Sequence, residues 1–598
     1  MWLQSNAVPP AASLESGGDG RILQSAVFDD TIWGDHFLAT SRRSDTTASD
    51  DGVIVANQSQ GHPTPEHESR EYEVLKEEVQ RMVTVGVGDN DEAAIFKKLR
   101  LIDAIQRLGV GYHFKEEIEK AIENVHALGG ESFIDTYKHI DLHHAALWFR
   151  LLRQQGFGVS SDVFRKFKDH EGKFKESLAF DGQGLLSLYE AAHVAIHGED
   201  ILDEALSFST KNLKLIVQDH KTSSSFKKQV EFSLALPMWK CVPRTLARHC
   251  IQVYSELDEQ ASHDETVTLK FAKLDFNVVQ RVHQEELHEL TMWWASLETK
   301  KRFPYARDRL VECYFWINTV YPEPKHRVGR IILTKCGAVL TLLDDFYDNF
   351  GDYEQLKILT EAIQRMDISA LEELPDIMKE AYRVVIVNLF EEMEQAISGT
   401  GPTYGIDYCK QEVRTSRIVC GSLLAEARWR SDCHVPSLEE YLKHANITSS
   451  YFFVCPSAYL GIGPEVATRE AFEWVTSKTN KMVMASASIC RVQNDIMSYP
   501  FEQERLHVAS AVQCYVKEHG VSDEEATQVL LGRIADAWKD MTEVMCCQKP
   551  TPFPTALLSP VINFARSISV IYLKADAFTY PQLLKERIAA LFVHPVPL

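Results

Sequence analysis

The sequence predicts an all-α fold, and three observations carry the prediction. Apolar residues recur at helical spacing, with Tyr72, Leu75, Val79 and Met82 stepping by three and four. The segment 185–208 (LLSLYEAAHVAIHGEDILDEALSF) reads as two helices with Gly198 as the punctuation between them. No alternating apolar and polar run is sustained enough to demand a sheet.

In chain order, residues 1–25 and the Ser/Thr/Asp/Gly-rich stretch 42–67 have the composition of a disordered tail and loop. Helical periodicity follows. The polar stretch 258–267 (DEQASHDETV) is the best domain boundary, dividing the chain into 26–265 and 266–598. Beyond it, residues 331–343 (IILTKCGAVLTLL) are apolar on nearly every side, which predicts a buried helix, and Gly351 offers its stop. Asp344, Asp345 and Asp348 fall at the end of that helix. Carboxylates there face the negative end of the helix dipole, and desolvation makes the clash worse, so a positive partner is required. At i, i+1 and i+4, the first and last share a face. Oxygen ligands of this kind suit a hard divalent cation, Mg²⁺ before Ca²⁺ or Mn²⁺.

A lone acidic cluster is most often a solvated helix end; here a second one follows. Asn494, Ser498 and Glu502 recur at i, i+4 and i+8, one stripe of a helix, after a stretch of small residues (482–490, MVMASASIC) suited to lining a cavity. Pro500 interrupts that stripe and is expected to kink it. Arg307 and Arg309 lie upstream of the first cluster, and Arg491 is three residues before Asn494, on its helix face.

Composition narrows the partners. Hydrophobic content of 45% is ample for a packed core, and a formal net charge of −22 argues against nucleic acid or an anionic membrane. An anionic substrate would have to meet a local positive site of metal and arginine. Twelve cysteines form no CxxC pair, so reduced thiols are expected. No stretch of eighteen uncharged apolar residues predicts a membrane span.

With both clusters in view, the chain resembles the plant terpene synthases, and the sesquiterpene synthases most closely. Their DDxxD motif matches Asp344, Asp345 and Asp348; their second metal motif, Asn/Asp-Asp-x-x-Ser/Thr-x-x-x-Glu, matches Asn494, Asp495, Ser498 and Glu502. The resemblance runs from FDDTIWGDHFL (28–38) through AKLDFNVVQ (272–280), ARDRLVECYFW (306–316) and YLKHANITSSYFF (441–453) to the terminal LFVHPVPL. It implies a helical N-terminal scaffold, whose leading segment caps the pocket, and a C-terminal metal-binding catalytic domain. The Asp-x-Asp-Asp acid of related class II cyclases is absent from the N-terminal region. The resemblance further implies three Mg²⁺ ions per site, with Mn²⁺ as a substitute, and a prenyl diphosphate substrate.

By the same resemblance, Asp344, Asp345, Asp348, Asn494, Ser498 and Glu502 hold metal, while Arg307, Arg309 and Arg491 grip diphosphate through forked donors. Trp316 matches a pocket tryptophan whose ring would stabilise a cation. Tyr451 follows a helix break at Thr448-Ser449-Ser450, and Asp576 matches a pocket acid in a lid loop (571–581). A tyrosine found beside that acid in some cyclases falls on Ile571, with Tyr572 one position later. The expected reaction converts farnesyl diphosphate to a sesquiterpene. The alternatives are a monoterpene synthase using geranyl diphosphate and, from another class, a catalytically silent isoprenoid-binding protein. The leading residues lack transit-peptide character, with Glu15, Asp19 and a single Arg21, so a cytoplasmic location is expected. A monomer is expected too.

Overall fold

The computed structural model describes residues 31–39, 65–86, 91–128, 140–256, 262–349, 353–366, 368–414, 419–502, 509–546 and 553–598. The expected tail 1–25, the loop up to residue 64, Gly351 and residues 258–261 of the polar stretch lie outside them. Among the described residues the only strand-like feature is one isolated bridge between Lys168 and Phe174. The all-α expectation holds.

The first half of the chain forms α1 (Pro65–Thr84), α2 (Glu92–Arg107), α3 (Lys115–Ala127), α4 (Leu142–Gln154), α5 (Gly182–Ala192), α6 (Asp200–Gln218), α7 (Ser224–Ala235) and α8 (Pro243–Glu256). Helix α1 starts at Pro65, inside the stretch 42–67 read as loop; proline suits the first helical position, where its missing N–H costs no bond. Gly198 sits at φ +82 in the turn before α6, a conformation that side chains disfavour.

Helix α9 (His263–Ser296) links the halves. A reciprocal capping box starts it: Ser262 Oγ accepts from the Glu265 N–H at 3.4 Å, and Glu265 Oε2 accepts from the Ser262 N–H at 2.8 Å. After it come α10 (Leu310–Val320), α11 (Arg327–Asn349), α12 (Tyr353–Arg365), α13 (Asp376–Tyr382), α14 (Leu389–Ala396), α15 (Gly405–Arg414) and α16 (Val419–Ser431). Then follow α17 (Leu438–Thr448), α18 (Tyr451–Tyr459), α19 (Arg469–Thr476), α20 (Lys481–Glu502), α21 (Ala511–His519), α22 (Asp523–Cys546), α23 (Thr555–Ile571) and α24 (Lys585–Phe592).

Helix α9 packs against α1, α2 and α8 and also against α10, α11 and α24. The segment AKLDFNVVQ within it has a definite task. Asp275 Oδ1 accepts from Tyr72 Oη at 2.9 Å and Tyr112 Oη at 2.7 Å, and lies 2.8 Å from His113 Nε2. Asn277 pairs with the backbone of Val596, and Gln280 donates to the carbonyls of Leu591 and His594. Further along, Glu286 forms a two-pronged pair with Arg330 of α11, each prong 2.7 Å, and both side chains are fully buried. These bonds fix α11 relative to α9, around an apolar core that runs from Phe37 to Val596. None of the described helices is long and apolar enough to cross a membrane.

Candidate functional site

Helices α10, α11, α16, α17, α18, α20 and α23, with the loop after α23, surround a cavity of about 270 Å³. On α11 its wall is a single stripe of Gly337, Leu340, Thr341 and Asp344. Asp345, about 100° further round the helix, is 1% exposed and does not line the cavity. Its carboxylate instead positions Arg307: Oδ2 accepts the Arg307 backbone N–H at 2.7 Å, and Oδ1 lies 2.8 Å from Arg307 Nε. Arg307 Nη2 in turn donates to Asp344 Oδ2 at 3.1 Å, and its guanidinium sits 5.5 Å from the Phe578 ring centre. Adjacent acids on one helix thus divide the work, one facing the cavity and one holding the arginine. The side chain of Asp348 lies outside the described residues.

Across the cavity, α20 contributes Cys490, Arg491, Asn494, Asp495 and Ser498. Asp495 is 3% exposed, and its Oδ2 accepts the Ala511 N–H at 2.9 Å in the first turn of α21. Helix α20 continues through Pro500 to Glu502, so the proline does not end it, although it forgoes the N–H bond to the Ile496 carbonyl. The Glu502 side chain lies outside the described residues.

The helix break expected at Thr448-Ser449-Ser450 is present between α17 and α18, with Ser450 at φ +65. A non-glycine residue in that region is strained, and neighbouring bonds hold it there. Arg491 supplies two: Nε donates to the Ala445 carbonyl at 3.2 Å and Nη2 to Thr448 Oγ1 at 3.1 Å, while Nη1 donates to Asn494 Oδ1 at 3.3 Å. Thr448 Oγ1 donates onward to Glu426 Oε1 at 3.0 Å.

Arg309 departs from its expected place. It is 2% exposed, does not line the cavity, and donates to the carbonyls of Phe578 at 3.1 Å and Thr579 at 3.2 Å. It therefore holds the C-terminal loop rather than facing the cavity, because it lies two residues beyond Arg307, at the start of α10. Asp576 does line the cavity and caps the same loop, accepting from the backbones of Phe578 and Thr579 and from Thr579 Oγ1.

The remaining wall is aromatic and aliphatic. Trp316 meets Phe578 edge-on at 5.7 Å, and Tyr451 packs 5.5 Å from Phe564 while donating to its carbonyl. Burial pushes the thiols of Cys313 up to about 12 and Cys490 up to about 11, so both stay protonated at neutral pH. Burial, then the Asp576 charge, raises the Tyr572 phenol well above its ordinary value. Tyr451 is raised likewise, by burial and then Cys490. The wall is thus uncharged, while Asp344, Glu426, Asp495, Asp576, Arg307 and Arg491 supply the charge.

Glu426 escaped the sequence reading, and Tyr572 entered it only as a neighbour of the family's tyrosine position. Glu426 belongs to no motif; its only signal is an acid among the apolar residues of LLAEA (423–427). Tyr572 was set aside as one position out of register, yet it lines the cavity beside Asp576.

The donors facing the cavity from α11, α16 and α20 are oxygens, those of Asp344, Glu426, Asn494 and Ser498, a set that fits a hard divalent cation. Among the described residues no three His, Cys, Asp or Glu side chains already converge on one point. Asp344 and Asn494 are engaged by Arg307 and Arg491.

Known proteins share the chain's sequence and fold. Residues 295–540 match the model for the terpene synthase family metal binding domain, and residues 32–234 match that for the terpene synthase N-terminal domain. The chain is 42% identical over 600 residues to a (-)-germacrene D synthase of Vitis vinifera, covering 100% of both. It is 41% identical over 530 residues to sesquiterpene synthase 2 of Toona sinensis, covering 88% of this chain and 91% of that one. Isoprene synthase from grey poplar (Populus x canescens), solved with three Mg²⁺ ions and dimethylallyl-S-thiolodiphosphate, matches with a TM-score of 0.80 at 31% identity, covering 89% and 97%. With both family domains matched and relatives aligned along its whole length, the chain belongs to the terpene synthase family.

Proposed function

We propose that the protein is a Mg²⁺-dependent sesquiterpene synthase that ionises farnesyl diphosphate and guides the resulting cation to a C15 product with release of diphosphate. One observation carries the reading: oxygen donors and two arginines meet at one aromatic-walled cavity, on the helices where the sequence placed its two clusters. Identity above 40% to relatives named for sesquiterpene products supports farnesyl over geranyl diphosphate.

Asp344, Asp348, Asn494, Ser498 and Glu502, with Glu426 added by the cavity, are the residues that would hold the metal. When bound, the divalent ions neutralise the charge of the departing diphosphate. Arg307 and Arg491 add forked donors to diphosphate oxygens, and Asp345 keeps Arg307 in place. Trp316, Phe564, Phe578 and Tyr451 face the cation with π-electrons and offer it no strong nucleophile. The loop 573–580, held by Arg309 and Asp576, keeps water out. Residues 26–265 act as scaffold and 266–598 as the catalytic unit, in a monomer of the cytoplasm with Mn²⁺ as a substitute metal.

The test is a volatile-product assay of the purified protein with Mg²⁺ and either farnesyl or geranyl diphosphate. Efficient C15 formation from farnesyl diphosphate is expected. Turnover of geranyl diphosphate alone would transfer the protein to the monoterpene class, and a folded sample active on neither would refute the reading.

A further inference from the structure

One basic side chain between the two halves of the chain takes no part in the site described above. Arg566, on α23, makes no ion pair among the described residues; burial lowers its pKa to about 10, and the thiols of Cys241 and Cys546 work in the other direction. A buried cation without a carboxylate is costly, so what its fork holds is informative. Its Nε donates to the Trp239 carbonyl at 2.8 Å and its Nη1 to Asn563 Oδ1 at 3.0 Å, with the guanidinium 4.9 Å from the Trp239 ring centre.

Both contacts lead to fixed points. Trp239 belongs to the first half of the chain, in the turn before α8, and is 3% exposed. Its neighbour Met238 is anchored to α5, where Glu190 Oε2 accepts the Met238 N–H at 2.8 Å, and its own indole N–H donates to Thr542 Oγ1 of α22 at 3.0 Å. Asn563 carries the connection onward: its Nδ2 donates at 3.1 Å to the carbonyl of Val320, the last residue of α10. Every link from Trp239 to Val320 is thus a hydrogen bond. The helices so joined, α10 and α23, pack together and supply Cys313, Trp316, Ile317 and Phe564 to the cavity wall.

We propose that Arg566 is a positioning residue for the shape of the cavity: braced on the Trp239 carbonyl, it orients Asn563 and so sets the spacing of α10 and α23. The first half of the chain thereby shapes the wall that meets the apolar part of the substrate, although among the described residues it lends no side chain to the cavity. The consequence for products rests on the farnesyl diphosphate reading above; the mechanical link does not. A change in spacing moves Trp316 relative to Phe564, so the cation is held in a different fold, while the diphosphate end at Arg307 and Arg491 is left alone.

Two readouts on the full chain separate these levels. Amide hydrogen exchange of residues 317–321, at the end of α10, is compared in wild type, Arg566→Met, Asn563→Asp, Trp239→Phe and the Arg566→Met, Asn563→Asp double variant, with α2 as an internal control for global loosening. Methionine loses both donors; aspartate still accepts from Arg566 but cannot donate to Val320; phenylalanine gives up the Thr542 bond that steadies Trp239. Exchange is expected to rise more than about twofold in each single variant, most in Arg566→Met, with α2 unchanged. The double variant should match Arg566→Met within about twofold, as links in one path do. With farnesyl diphosphate, the product profile should shift in each variant while inhibition by inorganic diphosphate with Mg²⁺ stays within about twofold of wild type, a split that general structural damage would not produce. A single variant whose exchange stays within about twofold of wild type, a matching rise in α2, or rises that multiply in the double variant would overturn the proposal. An unchanged product profile despite faster exchange would overturn it as well. If Arg566→Met does not fold, Asn563→Asp and Trp239→Phe decide. If wild type converts no prenyl diphosphate, the functional reading falls while the exchange comparison still judges Arg566.

Discussion

Replacing Arg491 by lysine keeps the charge and removes the fork. In the structure its three nitrogens donate to three acceptors, Ala445 O, Thr448 Oγ1 and Asn494 Oδ1, at 3.2, 3.1 and 3.3 Å. An ammonium on a flexible stem can serve one of these places in the same geometry, so two contacts are lost. Hydrogen bonds to charged groups contribute about 1.5–3 kcal/mol each. Partial rearrangement leaves a net loss of about 2–4 kcal/mol where the arginine must hold the strained α17–α18 break and meet diphosphate together. At about 1.4 kcal/mol per decade, kcat/KM on farnesyl diphosphate should fall by roughly thirtyfold to a thousandfold. Steady-state kinetics with diphosphate-release detection measures this, and a melting curve keeps folding separate from catalysis. A folded Arg491→Lys variant within about threefold of wild type would refute the reasoning, since charge alone would then suffice.

Other predictions follow from the same bonds. Arg330→Met leaves the fully buried Glu286 carboxylate uncompensated and should cost about 3–5 kcal/mol of stability, read as an earlier unfolding midpoint. The joint Glu286→Leu, Arg330→Met variant should recover most of that loss. Burial works against the Asp103 carboxylate, but Arg107 and Arg150 outweigh it and hold it down to about 2, below its ordinary 3.8. A depressed folded value stabilises the protein above pH ~4, and the contribution, about 2 kcal/mol, is lost as pH falls toward 2. Asp103→Asn should therefore show a flatter stability profile over that window in denaturant titrations. Chelation of divalent metal should abolish turnover while leaving the far-ultraviolet helical signal unchanged, because the proposed metal ligands sit at the ends of helices packed by an apolar core. A collapse of helicity would show the metal to be structural.

Features that depend on neighbours along the chain were legible before the structure. The period of α1, the turn at Gly198, the break before Tyr451 and both acidic clusters all rest on local spacing. Division of labour within a cluster was harder to see. Asp344 and Asp345 are identical in type and adjacent, and only the rotation of about 100° per residue, set against a cavity whose direction the sequence does not give, separates them. Arg309 was assigned with Arg307, yet a loop 270 residues later captures it. Glu426 reaches the site through Thr448, a contact between helices that no local pattern encodes. Pro500 lies inside α20, which runs through it to Glu502, whose side chain lies outside the described residues.

The first described segment and residues 591–596 meet on one helix. Phe37 is fastened to His288, while Leu591 to Val596 are fastened by Asn277, Gln280 and Gln284, about 16 Å or less along α9. Synthesis makes α9 more than 300 residues before Leu591 and Val596, which cover this part of it. Until then the amides of Asn277, Gln280 and Gln284 have only water, and the neighbouring apolar surface stays open to other chains. Arrival of α24, rather than completion of the N-terminal helices, is therefore the event that seals α9. A fusion partner that crowds Val596 would delay that step, and a rearranged chain that makes residues 585–598 ahead of α9 would advance it.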